Sequence, residues 1–142
     1  MTNIDTKKLT DLLTGAPEEE TILFLKKELA DTVLPIISNG VYESIEVAVR
    51  GKIENGLDFP PDRILDPAAV DFVDNVKILT GGDGFSRVVV LDDDPETIKQ
   101  ALGVGAVFSD IYLLMPLSEK VSADLTATIN FKSLRIHGYS IL

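Results

Sequence analysis

The sequence predicts an α+β domain: N-terminal helices followed by a mainly antiparallel sheet with one or two short inserted helices. Three observations carry this. Leucines at helical spacing dominate the first part of the chain, and Gly or Asp-Gly clusters separate short β-branched runs from Val76 onward. Between Val121 and Phe131 the odd positions are apolar and the even positions polar, the period of a strand with one wet face. With 142 residues, 45% of them hydrophobic, the chain reads as a single domain, 1–142. Its helical part lies at about 5–38 and its sheet-rich part at about 41–142.

Asp5 is a good N-cap for a short helix over about 6–14, with Leu9, Leu12 and Leu13 on one face and Thr14-Gly15 as a stop. Pro17 and Glu18-Glu19-Glu20 suit the start of a second helix, which Ile22, Leu25, Leu29 and Val33 continue at spacings of three and four. Pro35 sets its end or a kink near 33. Val41 to Glu54 fits two templates. Val41, Ile45, Val49 and Ile53 recur every four residues, but Val47 spoils a polar helical face and Gly51 weakens a helix, which favours a strand. Leu57 to Asp62, with Pro60-Pro61, reads as an irregular connector within the domain.

Asp66-Pro67 opens a short helix through Val73. Val76–Leu79 and Arg87–Leu91 then read as two strands of a hairpin around Thr80-Gly81-Gly82-Asp83-Gly84. Asp94-Pro95-Glu96 starts a further helix, carrying Ile98, Ala101 and Leu102, which Gly103 and Gly105 end. Strands are expected at Val107–Met115, Val121–Phe131 and Leu134–Leu142. A turn at Lys132-Ser133 would pair the last two, Phe131 with Leu134 and Ile129 with Ile136 on the apolar face, and Thr128 with His137 on the polar face. Ile141-Leu142 would then end on an open apolar edge.

Thirteen Lys and Arg against 23 Asp and Glu give a net charge of −10, which repels phosphate backbones and anionic membrane surfaces. No nucleic-acid or membrane partner is expected. The absence of cysteine excludes disulfides, thiolate nucleophiles and zinc knuckles. Met1 to Asp5 lacks the basic start of a signal peptide, and no apolar stretch is long enough to span a bilayer, so the expected location is cytoplasmic, or a virion if the gene is phage-borne.

Four features carry possible chemistry. Gly81-Gly82-Asp83-Gly84 offers flexible amides for an anion nest, but neither the Lys-Ser/Thr ending of a P-loop nor a following helix accompanies it. Asp92, Asp93 and Asp94 follow a strand, where a hard cation is often held, yet Asp94-Pro95-Glu96 is equally a helix cap. His137 is the single histidine, without the elbow of a serine hydrolase or a second histidine for zinc. Thr126, Thr128, Asn130, Arg135, His137 and Tyr139 form a polar ladder suited to a protein interface.

No catalytic residues, metal ligands or cofactor are expected from these features. The reading they favour is a non-catalytic interaction or assembly subunit, an adaptor, chaperone-like or phage structural protein, self-associating through its sheet edge or helices. The alternative is a small metal- or phosphate-dependent enzyme using Gly81, Gly82 and Asp83 with Asp92, Asp93 and Asp94.

Overall fold

A computed structural model describes residues 6–14, 20–37, 45–51, 64–92, 94–113 and 135–138. Its elements alternate: α1 (Thr6–Thr14), β1 (Thr21–Lys26), α2 (Lys27–Ile37), β2 (Ile45–Arg50), β3 (Ile64–Leu65), α3 (Phe72–Lys77), a 3-10 turn (Ile78–Thr80), β4 (Phe85–Leu91), α4 (Pro95–Val104), β5 (Gly105–Leu113) and β6 (Arg135–Gly138). The six strands form one sheet in the order β3-β2-β1-β4-β5-β6, and every adjacent pair runs parallel. The expected antiparallel α+β sheet is therefore corrected to a doubly wound α/β fold. Parallel neighbours need a crossover of a dozen or so residues, and the helices supply it.

The decisive element is β1. Ile22, Leu25, Leu29 and Val33 suggested one long helix, but Leu23 and Phe24 are apolar as well, and all of Thr21 to Leu25 is buried. Such an unbroken run belongs to a strand covered on both faces. Leu23 and Leu25 face the layer of α1 and α2, packing with Leu9, Leu13, Leu29 and Val33, and with Val47 and Val89 from the neighbouring strands. Ile22 and Phe24 face α3 and α4, among Phe72, Val76, Ile98 and Ala101. Phe24 meets Phe72 edge-on, with ring centroids 6.0 Å apart. The helix then begins at Lys27 and continues past the expected stop, with Pro35 inside it.

The stretch that fitted two templates contains a strand, β2, in register with β1 through Leu23↔Val47 and Lys26↔Arg50. Val76–Leu79 is not a strand. Phe72–Lys77 is helical and Ile78–Thr80 forms a 3-10 turn, so the glycines at 81–84 join a helix to β4 and close no hairpin. Gly81 takes the left-handed C-cap position, and the Gly82 amide donates to the Lys77 carbonyl. The helix at Asp94 forms as its cap predicts: the Asp94 carboxylate accepts from the Thr97 amide at 3.0 Å, and Pro95 occupies the first turn.

β6 pairs with β5 in parallel, Ile111 with Ile136 and Tyr112 with His137. This too departs from the expected antiparallel hairpin, whose partner strand, Val121–Phe131, lies outside the described residues. At the amino end of β5 the ladder is irregular: Phe85 pairs with Gly105, but Arg87 pairs with Asp110. No helix among the described residues is long and apolar enough to cross a membrane.

Gly84 and Gly82 have nearly the same φ, +98° and +97°, yet a Cβ at Gly84 would stand 2.8 Å from the Ala106 nitrogen, while Gly82 faces open space. Gly82→Ala should therefore lose about 1 kcal/mol, from backbone conformation alone, and Gly84→Ala at least about 3 kcal/mol. Urea unfolding of the two variants measures the difference.

Candidate functional site

In an open parallel sheet, ligands bind outside the carboxyl ends of the strands, at the point where the winding reverses. Here the chain winds from β1 outward to β2 and β3, and returns to wind from β4 to β5 and β6, so the reversal lies between β1 and β4. Three strand ends surround it: Lys26 of β1, Arg50 of β2 and Leu91 of β4.

An ion pair crosses this point. Asp92 directly follows β4, and its carboxylate receives Arg50 Nε at 2.8 Å on Oδ2 and Arg50 Nη2 at 3.0 Å on Oδ1. The Asp94 amide donates to Asp92 Oδ1 as well, at 3.0 Å. Arg50 and Asp92 both occupy even positions of their strands, the parity of the α3 and α4 face, and β1 runs between them with Lys26 opposite Arg50. The arginine therefore spans two strand spacings, roughly 10 Å, to reach its partner. The Asp92 side chain is fully buried, whereas that of Arg50 is 41% exposed. Hydrogen bonding to Asp92 drives the guanidinium pKa further above its already high value; burial opposes this, and the charges of Asp92, Asp94 and Glu28 add to it. Arg50 is a permanent cation here.

The β1–α2 junction is equally particular. Lys26 ends the strand and Lys27 begins the helix, with no residue between them and no glycine from Thr21 to Ile37. Gly51, just after β2, has φ +117°, and a Cβ there would lie 3.0 Å from Lys27 Cβ. The end of β2 thus backs directly onto the aliphatic stem of Lys27.

The residues expected to carry chemistry are scattered. Gly81, Gly82 and Asp83 lie before β4 and Asp92 and Asp94 after it, so a seven-residue strand, about 20 Å long, separates the two groups. This overturns the proposed metal or phosphate site joining them. Asp94 is a helix cap, Asp92 an ion-pair partner, and Asp93 lies outside the described residues. No group of His, Asp or Glu among the described residues is arranged to hold a metal. Arg135 and His137 sit on β6, while Thr126, Thr128, Asn130 and Tyr139 lie outside the described residues. Sequence reasoning misses Arg50 because its partner, Asp92, lies 42 residues away. Its signal was a charged residue at the end of an apolar run, matched by Asp92 after Val88-Val89-Val90-Leu91.

No family model matches the chain, and no curated protein matches it in sequence. Its fold, however, has many solved counterparts. An NAD-dependent alcohol dehydrogenase superposes with a TM-score of 0.65 at 15% identity, over 97% of this chain and 41% of that one. A zinc-binding dehydrogenase from Clostridium scindens gives 0.60 at 15% identity, over 96% and 41%. A mycobacterial quinone oxidoreductase gives 0.57 at 18% identity, over 97% and 45%. The shared fold is the open, doubly wound parallel sheet with helices on both faces. The chain spans about two fifths of the length of these structures, and at such identities the likeness is one of fold. It corrects the expectation of a self-associating adaptor, chaperone-like or phage structural protein, because the proteins that share the architecture are oxidoreductases.

One of these counterparts is NAD-dependent, and the first βα turn of this chain departs from the dinucleotide fingerprint. The dinucleotide fingerprint places glycines in the first βα turn so that the backbone can approach the pyrophosphate, and an acidic residue about 20 positions later to bind a ribose hydroxyl. This chain has Lys26-Lys27-Glu28 at the turn and Arg50 at the end of β2. Gly51, the glycine nearest the crevice, makes room for Lys27.

Arg50→Met leaves the buried Asp92 carboxylate with the Asp94 amide in place of a cation and should cost about 3 kcal/mol. Asp94→Ala, which removes only a helix cap, should cost about 1 kcal/mol. Guanidinium unfolding curves of the two variants test this ranking.

Proposed function

We propose that this chain is the doubly wound domain of an oxidoreductase-type protein, and that its working edge is formed by the carboxyl ends of β1, β2 and β4. The strand order β3-β2-β1-β4-β5-β6, reversing between β1 and β4, carries this reading. Such a reversal leaves an edge where neighbouring loops diverge and a ligand or a catalytic domain can approach. The solved counterparts support it, since each adds more than half of its length to the part this chain matches. Substrates of that class are small carbonyl compounds, enones and quinones.

The absence of native cysteine allows a clean test. Lys27→Cys and Asp83→Cys place a single fluorescent label at the carboxyl and amino ends of the sheet, respectively. Titration with short aldehydes, enones and quinones should change the signal at position 27 and leave position 83 silent. A response only at position 83, or none at either, overturns the reading.

A further inference from the structure

Taking the carboxyl-end edge as the working edge, as proposed above, we infer that the crevice at the sheet's reversal is occupied by the chain's own Arg50–Asp92 ion pair and holds no nicotinamide dinucleotide. Three observations converge on this. The first strand passes into its helix without a glycine or an intervening residue, leaving no exposed backbone loop to approach a pyrophosphate. An arginine at the end of the second strand suits a 2′-phosphate, but here Arg50 is already tied by two hydrogen bonds to Asp92. The glycine at the end of β2 is filled from within by Lys27.

An entering dinucleotide brings two phosphate charges. To take over the Nε and Nη2 donors of Arg50 it must displace Asp92, whose side chain has no exposure to water and would be left as a buried anion beside the phosphates. The ion pair links the end of β2 to the residue after β4 across β1. The domain is complete without a nucleotide.

The intact chain provides the test. It holds no tryptophan, so the fluorescence of a reduced nicotinamide is read without energy transfer from indole. Titration with NADH and with NADPH to millimolar concentration should give no saturable change in nicotinamide fluorescence and no rise in melting temperature. A saturable response to either overturns the inference while strengthening the proposed function; silence of both labelled positions in the preceding experiment has the converse effect. A second measurement concerns the pair itself. Arg50→Met and Asp92→Leu should each lower the melting temperature, and the double variant should recover most of the loss, because neither charge is then left unpaired. Additive losses overturn the inference. If a single variant fails to fold, the titration of the unaltered chain still decides.

Discussion

The burial of β1 on both faces and along both edges is the constraint from which the remaining architecture follows. A strand whose residues Ile22 to Leu25 are all inaccessible must find hydrogen-bonding partners on each side and apolar layers above and below. β2 and β4 supply the first, and the α1–α2 and α3–α4 layers the second. Because both neighbours run parallel to β1, every connection has to cross over the sheet. The helices are therefore obligatory parts of the topology. The two apolar clusters share no residue, and the sheet is the wall between them.

The same constraint concentrates charge at one rim. All six strands point their carboxyl ends the same way, and where β1, β2 and β4 stop, the apolar core gives way to Lys26, Arg50 and Asp92. Asp92 is the one aspartate among the described residues that the fold buries, and it does so only with a bidentate arginine and a backbone amide for company. Of the ten excess negative charges, this one is internal and structural, while Asp94 serves the helix dipole as a cap. At the rim of this doubly wound sheet an internal cation and anion pair across β1.

What the sequence made legible depended on how local the deciding force was. The Asp94-Pro95 start of α4 was readable because the cap, the proline and the dipole all act within one turn. The leucines of α1 were readable because one amphipathic helix shows its period directly. β1 was not, because burial on both faces erases the alternation that marks a strand, and its apolar residues also satisfy a helical spacing. The glycines at 81–84 truly take positive φ, but such residues serve a helix C-cap as well as a hairpin, and nothing within five residues distinguishes the two. Parallel pairing and the Arg50–Asp92 contact, 42 residues apart, are properties of the whole topology. A clue to them lay in pattern: runs such as Val88-Val89-Val90-Leu91 that never alternate argue for a sheet covered on both sides.

The irregular ladder between β4 and β5 divides that side of the sheet into two separately anchored zones. At the amino end, Gly84 lies against the backbone of Val104, Gly105 and Ala106 and fixes where β5 begins. At the carboxyl end, the unbroken register from Arg87↔Asp110 to Val90↔Leu113 fixes where it finishes. Between these anchors β5 advances five positions, Gly105 to Asp110, where β4 advances two, Phe85 to Arg87. This surplus is a slack segment in an otherwise taut lattice. Loop remodelling or a change of chain length near 105–110 can be absorbed there without shifting the rim that carries Asp92, so the two ends of the domain are free to diverge in evolution at different rates.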